Sequence, residues 1–110
     1  ALGRVGGIWE AKKIAAMAEV FNAEMAPHLY AGPVEWAANI HFAASIPNLL
    51  IAETIETGGA FHRALISDTI RWEDGYIVPP DTPGLGIAFD EADLRRIAGG
   101  DPGTRPLLLF

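Results

Sequence analysis

Between Ile8 and Glu53 the chain passes twice from a helical pattern into a short apolar run, and this alternation limits the possible folds more than any other feature. From Ile8 to Phe21 the residues Ile8, Ala11, Ile14, Ala15, Ala18 and Phe21 recur at steps of three and four. Glu10, Lys12, Lys13 and Glu19 fall mostly elsewhere, which is the pattern of an amphipathic helix. Asn22 is placed to close it. Ala23 to Pro27 is then a short, mostly apolar run ending at His28, as a buried parallel strand would. Gly32-Pro33 opens a second helix to about Ser45, because proline at the first helical position gives up no needed hydrogen bond. Ile46-Pro47-Asn48 is a turn, and Leu49-Leu50-Ile51-Ala52 is a second strand with Glu53 at its C-terminal end. Helices alternating with short apolar strands predict an α/β fold with a parallel sheet, since both faces of each strand must be covered.

The flanks are less regular. Leu2 to Gly7 reads as the end of a strand followed by a turn, with nothing before it to pair with. Together with Ala1 in place of Met, this suggests a cut chain. Gly58-Gly59 reads as a flexible joint and Ala60 to Ile70 as one more helix. Trp72 to Val78 is extended around an Asp74-Gly75 turn, and Pro79 to Gly86 is rich in proline and glycine, so the alternation ends there. Asp90 is a plausible N-cap for a short helix through Ile97, stopped by Gly99-Gly100. The apolar terminus Leu107 to Phe110 needs something to cover it. No internal repeat or low-complexity segment is present.

A chain of 110 residues has room for one small domain, and 50% hydrophobic residues suit a packed one. A net charge of −6 repels phosphate backbones and anionic membrane surfaces, so neither nucleic acid nor membrane is an expected partner. The absence of cysteine rules out disulfides, thiolate metal sites and a cysteine nucleophile, and fits the cytoplasm. No apolar run approaches the roughly 18 residues of a membrane span, and no basic stretch leads into an apolar one at the start.

Two ionisable residues, His28 and Glu53, stand directly after apolar strand runs, and in parallel α/β folds reacting groups collect at such strand ends. An imidazole takes or gives a proton near neutral pH. A carboxyl in an apolar cleft has its pKa raised, and if it stays protonated it donates a hydrogen bond to a developing oxyanion. Residue types alone leave a second reading open, in which a histidine after proline at a strand end is a turn residue. His41, beside Ile40 and Phe42 in the second helix, reads as packing or a surface hydrogen bond, and His62 likewise. The spacing of the three histidines matches no zinc pattern. Gly3, Gly6 and Gly7 lack the full spacing of a phosphate loop and read as turn glycines. Trp9, Trp36 and Trp72 read as core or interface aromatics.

Seven pieces occur in a fixed order. They are Gly-Arg-Val-Gly-Gly-Ile at 3–8, Lys13-Ile14-Ala15-Ala16-Met17-Ala18-Glu19, Ala26-Pro27-His28, Gly32-Pro33, Ile46-Pro47-Asn48, and Asp74-Gly75-Tyr76 followed by Pro83-Gly84-Leu85-Gly86. In this order they resemble the C-terminal stretch of the mandelate racemase and muconate lactonizing enzyme group of the enolase superfamily, over nearly all of the chain to about Ile97. The resemblance implies the last part of a (β/α)₇β barrel of the TIM type for residues 1–71. Residues 72–110 would then return to a capping domain. It implies Mg²⁺ in the parent enzyme, held by three carboxylates on strands upstream of Ala1, so that no metal ligand lies in this chain. His28 would end the seventh barrel strand as general acid or base, and Glu53 the eighth, facing a substrate carboxylate.

The interval from His28 to Glu53, with Gly-Pro soon after the histidine, is most similar to the acid-sugar dehydratases. The implied reaction is removal of the proton α to a carboxylate and β-elimination of water from a sugar acid. The alternatives are a racemase or epimerase of the same superfamily, or a catalytically incomplete α/β fragment with no activity of its own. The parent is expected to be a homo-oligomer. Counting back from Gly6-Gly7, the aspartate that usually holds the catalytic histidine falls at Ala1, so His28 is expected to lack its usual carboxylate partner.

Overall fold

The computed structural model describes residues 1–54 and 70–89, together with Ala92 and Arg95. It contains helices α1 (Leu2–Val5), α2 (Ile8–Val20) and α3 (Pro33–Ala44), followed by strands β1 (Arg71–Glu73) and β2 (Tyr76–Val78). The helix expected at Ala60 to Ile70 lies outside the described residues except for Ile70. So do the Gly58-Gly59 joint, His62, the apolar terminus and most of the helix expected from Asp90, of which Ala92 and Arg95 are helical.

The first segment corrects the expectation of a strand end. Leu2 to Val5 is one helical turn, because Leu2 anchors it in the core at 3% exposure and the carbonyl of Ala1 accepts from the amides of Arg4 and Val5. Gly6 (φ 102) and Gly7 (φ 88) then turn the chain directly into α2. Only glycine enters both conformations without strain.

Helix α2 spans the expected residues but buries a narrower face. Ala11 and Ala15, one turn apart, are buried against Leu2 and Phe42, while Ile14 is 38% and Phe21 81% exposed. Two alanines on the same face let α3 approach closely enough for Phe42 to fill the space between, and burying such a ring contributes roughly 1.5–3 kcal/mol. Asn22 ends the helix in the left-handed region (φ 54). Lys12 crosses to α3, where its Nζ donates to the Ser45 carbonyl at 2.9 Å and contacts Ser45 Oγ at 3.1 Å.

The two expected strands meet as a single parallel bridge, Met25 to Leu49. The Met25 amide donates to the Asn48 carbonyl (2.8 Å) and the Leu50 amide to the Met25 carbonyl (2.9 Å), the slanted pattern of a parallel pair. Asn48 also ties this junction to α2, its Nδ2 donating to the carbonyls of Ala15 (3.1 Å) and Ala23 (3.0 Å). Helices packed beside a parallel pairing make the chain an α/β unit. Leu50 and Ile51 remain 61% and 63% exposed.

The hairpin is as expected: β1 and β2 pair antiparallel with Trp72 opposite Ile77, and the turn residues Asp74 (φ 50) and Gly75 (φ 85) both take positive φ. That is the two-residue turn whose twist matches the strands it joins. An apolar groove of about 390 Å³ separates the hairpin from α3, walled by residues including Ile40, Leu49, Ile51, Trp72 and Ile77. No helix among the described residues is long and apolar enough to cross a membrane.

Candidate active site

The residues around the bridge decide where His28 points. From Met25 onward, Pro27 and Leu29 are buried while Ala26, His28 and Tyr30 are exposed, the period-two alternation of an extended chain. His28 is thus held outward between two buried neighbours. Because Met25 pairs with Leu49 in parallel, the chain reaches His28 and Glu53 at the same end of the pairing. His28 Nδ1 lies 2.5 Å from Glu53 Oε2, with the side chains 62% and 52% exposed. The same carboxylate oxygen accepts from the Leu29 amide at 2.8 Å.

These contacts correct the expectation of a protonated Glu53. The carboxyl is not enclosed by apolar groups, and its pKa is lowered. The main cause is the Leu29 N–H donating to it; what desolvation there is opposes this, and the His28 ring adds to the lowering. Glu53 is a carboxylate at neutral pH and can only accept, so Nδ1 of His28 carries the proton between them. Nε2 is left as the ring atom free to exchange one. The carboxylate partner that was expected to be missing with Ala1 is supplied by Glu53.

The remaining candidates lie elsewhere. His41 Nε2 is 3.1 Å from the Leu85 carbonyl, to which it donates, and so fastens the segment after the hairpin to α3. Of the tryptophans read as core or interface aromatics, Trp36 is half-buried, Trp72 is 41% exposed, and Trp9 is 70% exposed beneath the Lys13 ammonium at 5.5 Å. Gly3 packs inside α1, where its amide donates to Glu35 at 2.9 Å. Among the described residues no three histidine or acidic side chains converge as metal donors. His28 and Glu53 spend their facing atoms on each other, so the described residues do not fit a magnesium site.

Two participants were not singled out from sequence. One is the Leu29 amide, which carries no side-chain signal. The other is Asn39, a polar residue inside the apolar stretch Ala37 to Ala44, which is 4% exposed and directs Nδ2 toward the His28 carbonyl at 3.5 Å.

A histidine and an ionised carboxylate in contact where two parallel-paired segments end, with helices packed behind them, define an α/β protein equipped for proton transfer at a strand-end rim. Residues 1–93 match the family model described as enolase C-terminal domain-like, and the chain belongs to that family, within the mandelate racemase and muconate lactonizing enzyme group of the enolase superfamily.

Over 98 residues it is 40% identical to the D-galactonate dehydratase of Ralstonia pickettii (strain 12J), covering 83% of this chain and 25% of that protein. A mandelate racemase/muconate lactonizing enzyme-like protein from Roseovarius sp. TM1035 is 71% identical with a TM-score of 0.79, over 87% of this chain and 24% of that one. A protein from Burkholderia xenovorans strain LB400, provisionally named an L-alanine-DL-glutamate epimerase and solved bound to magnesium and fumarate, is 35% identical. Its TM-score is 0.71, over 78% of this chain and 21% of that one. The chain spans about a quarter of the length of these relatives.

Proposed function

We propose that the chain is the C-terminal part of a sugar-acid dehydratase, a hydro-lyase in which His28 is the general acid. The observation that carries this is the His28 Nδ1 to Glu53 Oε2 contact at the strand-end rim, in a chain that resembles dehydratases over most of its length. With Glu53 ionised against Nδ1–H, the ring is held in place and Nε2 is the atom turned to the substrate, from which a proton is given. A base outside this chain removes the proton α to the substrate carboxylate. As the bond from the β-carbon to its hydroxyl breaks, Nε2 supplies the proton that turns the departing hydroxyl into water. The enol left behind tautomerises to a 2-keto acid. Glu53 then accepts from Nδ1 and orients the ring, a role that differs from facing the substrate carboxylate, which an anionic Glu53 would repel.

The same reading takes residues 1–71 as the last strands and helices of a TIM-type barrel and residues 72–110 as the segment packing on a capping domain. It takes the whole protein as a cytoplasmic homo-oligomer acting on a small sugar acid. Magnesium belongs to this reading through the relatives, with its ligands elsewhere in the whole polypeptide. Residues 1–110 alone are then catalytically incomplete.

The name of the Burkholderia relative favours a second reading, an epimerase in which His28 Nε2 delivers its proton to carbon. One experiment separates the two. The whole protein is incubated with a panel of sugar acids in D₂O containing semicarbazide. Dehydration gives a trapped 2-keto product; deuterium at the α-carbon with no keto product supports epimerisation instead and overturns the dehydratase.

A further inference from the structure

Asn39 is the one buried polar residue among the described residues, on a face of α3 where Ala37, Ile40, Phe42 and Ala43 are also buried. An amide in such surroundings is costly unless it is bonded. Its Nδ2 lies 3.5 Å from the His28 carbonyl oxygen, a long contact, and its Oδ1 is buried with no hydrogen-bond partner among the described residues. What gives that contact meaning is the peptide it touches. The His28 carbonyl and the Leu29 N–H are the two edges of one rigid plane. The N–H edge donates to Glu53 Oε2 at 2.8 Å, and the same oxygen meets His28 Nδ1 at 2.5 Å. A single peptide unit is therefore approached by a side-chain amide on its oxygen side and by the candidate site's carboxylate on its nitrogen side.

We propose that Asn39 is a positioning residue that holds the peptide between His28 and Leu29 from behind, so that the Leu29 amide and the His28 ring converge on one oxygen of Glu53. A donor on the carbonyl also polarises the peptide and strengthens its N–H as a donor to the carboxylate. Asn39 touches no reacting atom and acts only through that plane. Its catalytic importance rests on the dehydratase reading; its structural action does not.

The test follows the Glu53 carboxyl directly by NMR in protein labelled with ¹³C at the glutamate Cδ, comparing wild type with N39L and N39A. N39L keeps the bulk of the side chain and removes the donor, while N39A removes both without adding charge. Amide exchange across α2 reports whether the core is intact. The expected result is a Glu53 titration midpoint that rises in both variants by about half a pH unit, roughly a threefold change in proton affinity, with exchange in α2 within about twofold of wild type. A midpoint that stays in place in either variant while α2 remains protected overturns the proposal. So does loss of protection throughout α2 in both variants, which makes Asn39 a packing residue only. No turnover is measured, so a wrong dehydratase reading leaves this result standing, and a failure here leaves that reading untouched.

Discussion

Glu53 holds its charge because of two donors, and each is set by a different part of the chain. The Leu29 amide comes from the backbone and the His28 ring from the residue beside it, so protonating Glu53 removes an acceptor from both. The sign of the pH effect follows from the direction of its shift. The folded-state pKa lies below the ordinary glutamate value of 4.5, so the stabilisation is fully present above that value and is lost as pH falls through the folded-state pKa. Melting temperatures of the protein measured from pH 7 down to pH 3 will therefore fall more steeply below about pH 4.5 in wild type than in E53Q, which has no carboxylate to lose. Parallel curves for the two proteins would mean that the contacts at Glu53 contribute nothing to the fold.

At the scale of elements, the segment after the hairpin is closed on itself by a residue with no side chain. Gly86 is buried with φ 68, and a Cβ there would run into the Pro80 ring and approach Thr82 Oγ1 to 3.0 Å. G86A combines a left-handed backbone with that overlap. It is expected to cost about 1–3 kcal/mol, read as a lower urea midpoint; an unchanged midpoint would show that residues 80–86 are free to rearrange.

The elements that sequence reveals best are those with long periods or specific turn residues. Helices α2 and α3 begin where expected, at Ile8 and Pro33, and the Asp74-Gly75 pair fixes the hairpin. The turn from Leu2 to Val5 is too short to show a helical period, and its only core anchor is Leu2. The buried face of α2 is narrower than its apolar pattern. Hydrophobicity ranks Ile14 above Ala11, but close approach to Phe42 selects the smaller residue. The meeting of His28 with Glu53 was legible from the two strand-end positions. The ionised state of Glu53 was not, because it depends mainly on a backbone amide placed by the chain's path.

Viewed as a whole molecule, the described residues leave apolar side chains open at several places, among them Val20 and Phe21 at the end of α2 and Leu50 and Ile51 along the paired segment. Under the barrel proposal, neighbouring strands would cover Leu50 and Ile51. The candidate site consists of a histidine and its partner carboxylate, and the dehydratase proposal requires a base from outside residues 1–110. The decisive measurement is made on the whole protein with H28N, following 2-keto acid release from whichever sugar acid the wild type dehydrates. Loss of the general acid predicts a fall in kcat of about 10²-fold or more in a protein that remains folded, and turnover within a few-fold of wild type would contradict the role of His28.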